Sequence, residues 1–125
     1  MVATTSTSAR DMETREPKAK RNQVPDNRSE KAIQSACVKV LKMLGFAVYS
    51  LSQARPSKQS RGLADLYCCG HGVCVWIEMK TRTGSQTLDQ VKFQRAVDSN
   101  RGHYLVARSE ADVIAWSKTV IRGAQ

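Results

Sequence analysis

A chain of 125 residues, 41% hydrophobic and 6% aromatic, has material for one domain around one core. No apolar run approaches the length of a membrane-crossing helix, and the polar N-terminus lacks a signal-peptide apolar stretch. A membrane partner is therefore not expected, and an intracellular location is. The formal charge of +9 says nothing about fold but favours polyanionic partners, nucleic acid first.

The charge is unevenly placed. Residues 1–27 carry five Lys or Arg and four Asp or Glu, whereas residues 28–125 carry fifteen and seven. The basic excess thus belongs to the foldable part. Residues 1–27 are rich in Thr, Ser, Arg and Glu, with few apolar side chains to offset ordering, and read as a disordered leader. Residues 28–125 read as one domain.

From Ser29 to Leu44, Ile33, Cys37, Val40, Leu41 and Leu44 recur at helical spacing. Asn27 or Ser29 can cap the start and Gly45 can stop the helix. Glu30 falls on the same stripe as Ile33 and Cys37, although a first-turn Glu favoured by the helix dipole explains it equally well. Phe46 to Leu51 reads as a strand, and Ser52 to Ser60 as a polar loop. Arg55 and Lys58 in that loop, with Arg61 just after it, can hold phosphates or simply be solvated.

Leu63 to Cys69 and Val73 to Met79 read as two strands joined by the short link Gly70-His71-Gly72. A polar loop with Arg82 and Gly84 follows. Thr87 then opens a second helix to about Ser99, with Leu88, Val91, Phe93, Ala96 and Val97 as its apolar positions. Thr87-x-x-Gln90 fits a capping box. His103 to Ala107 is a fourth strand, and Ser109-Glu110-Ala111-Asp112 opens a last helix through Val113, Ile114, Trp116 and Val120. The order is helix, three strands, helix, strand, helix, and with the composition it suits a small α/β or α+β domain.

The four cysteines are Cys37, Cys68, Cys69 and Cys74, and an intracellular setting argues against disulfides. Cys68, His71 and Cys74 resemble part of a zinc site. A structural zinc needs four ligands, no second pair is evident, and buried cysteines beside a tight turn explain the run better.

The chemistry concentrates in Ile77-Glu78-Met79-Lys80. At the end of an apolar strand, Glu78 and Lys80 point to one face, where paired charges are seldom kept for packing alone. Asp65 lies on the preceding strand of the hairpin, which brings it towards Glu78. Asp65 and Glu78 can share Mg²⁺ or Mn²⁺, with the Met79 carbonyl and Glu30 as further oxygen ligands. Lys80 can stabilise charge on a phosphorane, position a water, or act as a base if desolvated. Gln90 can hydrogen-bond a water or phosphate, its other role being the capping box. A surface ion-pair ladder is the purely structural explanation of the whole set.

This constellation resembles the PD-(D/E)xK nuclease superfamily. Ser29-Glu30, Gly45-Phe46, Arg61-Gly62-Leu63-Ala64-Asp65-Leu66, Ile77-Glu78-Met79-Lys80 and Thr87-x-x-Gln90-x-x-Phe93 are similar, more narrowly, to the small stand-alone VRR-NUC domains. The resemblance spans roughly residues 28 to 113 and implies a restriction-endonuclease-like αβββαβ core, a mixed four-stranded sheet flanked by helices. It implies Mg²⁺- or Mn²⁺-dependent cleavage of DNA, a homodimer, and four-way junctions or other branched DNA as substrate, in the cytoplasm of a bacterial or phage-infected cell. Asp65 and Glu78 match the family's metal-binding acids, Lys80 its catalytic lysine, Glu30 its helix-borne acid and Gln90 its active-site glutamine. Ala64 replaces a frequent proline and Phe93 a frequent tryptophan, departures that bear on substrate choice. The alternative is a non-catalytic DNA-binding or scaffold domain of the same fold.

Overall fold

The computed structural model describes residues 26–51 and 61–123. The expected leader lies outside them apart from Asp26 and Asn27, and so do Arg55 and Lys58. In chain order the elements are α1 (Glu30–Met43), β1 (Ala47–Ser50), β2 (Leu66–Gly70), β3 (Val73–Met79), α2 (Leu88–Ser99), β4 (His103–Ala107) and α3 (Glu110–Gly123).

Local chemistry sets the ends. The Ser29 hydroxyl accepts the Ala32 amide, which satisfies one orphan donor of α1. Thr87 and Gln90 form the full capping box of α2: the Thr87 side chain accepts the Gln90 amide at 3.2 Å, and the Gln90 side chain accepts the Thr87 amide at 2.8 Å. Between β2 and β3 only His71 and Gly72 form the link, with φ of +54° and +84°. Two consecutive positive φ values are the signature of the tight turn whose twist matches an antiparallel hairpin.

The four strands lie in the order β1-β2-β3-β4. The first three are antiparallel neighbours and β4 runs parallel to β3, so the sheet is mixed. The parallel step needs a crossover, which α2 supplies. Leu66 and Cys68 of β2, with Val75, Ile77 and Met79 of β3, alternate onto one face. There they meet Ile33, Cys37 and Leu41 of α1 and Val113 of α3, and this cluster is the core. Burying each of its larger aliphatic side chains contributes about 1.5–3 kcal/mol.

The intervening positions of the strands face the other way. Tyr67 pairs with Trp76 and Trp76 with Tyr104. Phe93 of α2 meets Trp76 edge-on at 5.3 Å between ring centres and Tyr104 at 5.9 Å. This face is thinner than the core: none of the α2 residues is fully buried, and Leu88 is 71% exposed. The expected apolar positions of α2 thus include one that is largely solvated.

One boundary that bears on the site differs from expectation. The second strand begins at Leu66 rather than Leu63, which places Asp65 just before β2. The reason is visible in its bonding. The Asp65 carbonyl still accepts the Leu51 amide, and its amide still donates to the Ile77 carbonyl, but its carboxylate takes the Met79 amide in place of a ladder carbonyl. Ahead of it, Gly62 has φ +79° and lies against the first turn of α2. A Cβ there would stand 2.2 Å from the Asp89 carbonyl oxygen, which is backbone and cannot swing aside.

Gly62→Ala therefore faces both a positive φ and a backbone clash, and is expected to destabilise the fold by about 2–3 kcal/mol. Urea unfolding would show a lower midpoint with an unchanged slope, whereas an unchanged midpoint would mean that Gly62 does not seat α2.

Candidate active site

The end of β3 places an acid between two core residues. Ile77 and Met79 point into the core, so Glu78 must point to the face covered by α2, and there it is 0% exposed. A buried carboxylate is costly unless its lone pairs are satisfied. Its Oε1 accepts two bonds, one from the Tyr104 hydroxyl and one from the Gln86 amide at 3.1 Å. Gln86 also donates to the Gln94 side-chain oxygen at 2.9 Å, which fixes the orientation of its amide. Among the described residues, the second oxygen, Oε2, has no hydrogen-bond donor. It faces the Lys80 ammonium at 3.5 Å, with Lys80 itself 7% exposed.

Asp65 comes from the other arm of the hairpin. Its Oδ2 accepts the Met79 amide at 2.7 Å, a short charge-assisted bond one residue beyond Glu78. This ties Asp65 to the backbone between Glu78 and Lys80. Asp65 also lines a cavity of about 250 Å³ with Glu30, Lys31 and Gln34 of α1.

The loop after β3 is held from beneath by Arg108. Its guanidinium donates to the carbonyls of Thr81 at 2.8 Å and Gly84 at 2.7 Å. Its own amide donates to the Asp112 carboxylate in the first turn of α3 at 2.8 Å. The Lys80 amide bonds the Ala107 carbonyl at 3.0 Å. The chain from Lys80 to Gln86 is thereby anchored to β4 and α3, and both Lys80 and Gln86 return to the one carboxylate.

Burial first, and the bond to Glu78 second, push the Tyr104 phenol well above its ordinary 10.0. Tyr104 is thus held as a hydrogen-bond donor.

The structure brings Asp65, Glu78 and Lys80 to one end of the hairpin. Glu30 is exposed at the start of α1 and reaches this region only as a wall of the Asp65 cavity. Met79 buries its side chain in the core, and the contact that connects it to Asp65 is its amide. The side-chain oxygen of Gln90 is engaged in the α2 cap. Arg61 and Arg82 are exposed, and Arg82 donates to the Asp26 carbonyl at 3.3 Å.

Gln86, Gln94, Tyr104 and Arg108 escaped the sequence reading. Only Tyr104 had a signal: once β4 is paired parallel with β3, its register partner is Trp76, which puts it on the Glu78 face. The zinc-like run does not converge. Cys68 points into the core, Cys74 is exposed, and the His71 ring nitrogen contacts the Leu44 carbonyl at 2.7 Å. Among the described residues, no three His, Cys, Asp or Glu side chains are grouped to hold a metal ion. Nor is any helix among them long and apolar enough to cross a membrane.

Compared with known proteins, the chain matches no family model, and no curated protein matches it.

Tyr104→Phe removes one of two donors from a buried carboxylate and is expected to cost about 1–3 kcal/mol at neutral pH. The pH dependence has a defined sign. The folded chain keeps a phenolic proton that the unfolded chain releases above the ordinary value of 10.0. The Tyr104 contribution is therefore complete below that pH and is lost as pH rises beyond it. Urea unfolding of both proteins from neutral to alkaline pH should show the wild type losing stability faster than Tyr104→Phe; parallel curves would remove Tyr104 from the network.

Proposed function

We propose that this chain is a Mg²⁺- or Mn²⁺-dependent DNA endonuclease of the VRR-NUC type within the PD-(D/E)xK superfamily, with a restriction-endonuclease-like core. On this reading it hydrolyses phosphodiester bonds as a homodimer, with branched DNA such as four-way junctions as substrate. The observation that carries the reading is Glu78: a fully buried carboxylate with one oxygen accepting two hydrogen bonds and the other without a donor among the described residues, beside a buried lysine. A purely structural ion pair accounts poorly for that arrangement, because a buried pair stabilises only when its remaining lone pairs are satisfied. A cation at Oε2 would satisfy it.

The donor chemistry fits a hard cation. Magnesium commonly binds through one or two carboxylates and completes its shell with water and substrate phosphate, so a cage of three acids is not required. Asp65 and Glu78 would hold the ion, with Glu30 and the Met79 carbonyl as further donors. When bound, it would acidify a water and offset charge on the phosphorane.

The chain's own residues have distinct parts. Tyr104 and Gln86 hold Glu78 by Oε1 and leave Oε2 turned towards Lys80. Lys80 supplies a positive charge for the phosphorane or orients the water. Asp65, bonded to the Met79 amide, fixes the backbone between Glu78 and Lys80. Arg61 and Arg82, with Arg55 and Lys58, would contact phosphates, in keeping with the net charge of +9.

A second reading, a non-catalytic DNA-binding or scaffold domain, draws on Gln90. Its side-chain oxygen caps a helix, which leaves the expected active-site glutamine with a structural role.

The two readings separate on labelled four-way junction, flap and plain duplex DNA at low salt with Mg²⁺ or Mn²⁺. Wild type should cut. Asp65→Asn, which keeps an acceptor for the Met79 amide, and Lys80→Met, which keeps the apolar stem, should each fall by about a hundredfold or more. Binding without cutting by wild type would establish the scaffold reading, and equal cutting by both variants would refute the site.

A further inference from the structure

At the turn end of the hairpin, away from Glu78, two cysteines face each other. Cys69 and Cys74 are register partners across β2 and β3, one pair in from the closing pair Gly70 and Val73. In a hairpin closed by a two-residue turn, the closing pair exchanges the hydrogen bonds. The next pair inward is then the non-hydrogen-bonded type, whose side chains approach more closely. The sulfurs are 3.0 Å apart, with the Cys69 thiol donating to Cys74, and both cysteines are free. Cross-strand partners of this kind have Cα atoms roughly 4.5 Å apart, within the range a disulfide spans, so small side-chain rotations suffice and the backbone need not move.

Access and reactivity single out this pair. Cys74 is exposed and Cys69 partly so, whereas Cys37 and Cys68 are buried in the core. The Cys69 thiol, and next the Tyr67 hydroxyl, hold the Cys74 thiol below its ordinary 9.0. Burial instead pushes Cys37 up to about 11 and Cys68 up to about 12. Thiolate is the attacking species, so Cys74 is the entry point and the buried thiols are poor competitors.

We propose that Cys69 and Cys74 form a dithiol that exchanges with low-molecular-weight disulfides of the glutathione class and closes a cross-strand disulfide on the open face of the sheet. The Cys74 thiolate attacks one sulfur of the small disulfide. That S–S bond breaks, one small thiolate leaves and takes up a proton, and a mixed disulfide remains on Cys74. Cys69 gives its proton to solvent and attacks the Cys74 sulfur, expelling the second small thiol. The protein loses two protons and two electrons, and the small disulfide takes up the same to become two thiols. The bond would covalently fix β2 to β3 at the end of the hairpin remote from Lys80. It stands independently of the proposed nuclease activity.

The test uses the full chain, reduced, freed of reductant, and incubated in oxidised and reduced glutathione at graded ratios. Samples are quenched in acid, unfolded, alkylated and weighed intact, then digested. The expected product is two hydrogens lighter than the dithiol, takes up two alkyl groups instead of four, and links Cys69 to Cys74. Cys69→Ser should instead keep glutathione on Cys74, and Cys68→Ala should behave as wild type. Both thiols of the pair lie outside the core, so Cys69→Ser should fold. A lasting glutathione adduct on wild-type Cys74, a bond to Cys68, or chains joined to one another at comparable rates would each overturn the proposal.

Discussion

Everything at the end of the hairpin depends on how one carboxylate is buried. Glu78 is placed between Ile77 and Met79, and both of these are committed to the core. The pleat then forces the acid beneath α2, where water is excluded. From that constraint follow the Tyr104 hydroxyl on β4, the Gln86 amide on the loop, Gln94 behind it, and the Lys80 ammonium. Arg108 holds the loop that returns Gln86 to the acid, so even a residue with no contact to Glu78 serves its solvation.

The sheet's two faces divide the work. The face under α1 and α3 is aliphatic and closely packed, and it fixes the strand register. The face under α2 is aromatic and partly open. It carries Trp76, Phe93 and Tyr104 in edge and tilted contacts that tolerate polar groups among them. A charged site can therefore sit on the second face while the first supplies the rigidity. A purely aliphatic second face would lack the Tyr104 hydroxyl that donates to Glu78.

The parts of this arrangement that repeat locally were legible in the sequence. The stripe Ile33, Cys37, Leu41 gave α1, alternation gave β3 from Val73 to Met79, and Thr87 with Gln90 gave the cap of α2. The mixed four-stranded sheet was implied by the family resemblance, and of its pairings only the antiparallel β2–β3 hairpin was legible locally, from the short link at His71 and Gly72. Asp65, Glu78 and Lys80 were found because the hairpin is local. What stayed hidden is what the crossover brings in. Tyr104 meets Glu78 only through the β3–β4 register, and Gln86 lies in an irregular loop with no periodicity to place it. The start of β2 was misplaced because the Asp65 side chain takes a bond that a strand backbone would otherwise take, and alternation of apolar residues carries no trace of that.

The mixed sheet also implies an order in time. Asp65, Glu78 and Lys80 belong to one hairpin closed by His71 and Gly72, so they meet through a short loop with little entropy to overcome. Tyr104 joins only after α2 has crossed the sheet and β4 has docked, a contact between distant parts of the chain and a slower one to form. Loop-closure entropy therefore favours gathering the acid early and sealing it late: while β4 is undocked, Glu78 lacks the Tyr104 donor and water can serve in its place.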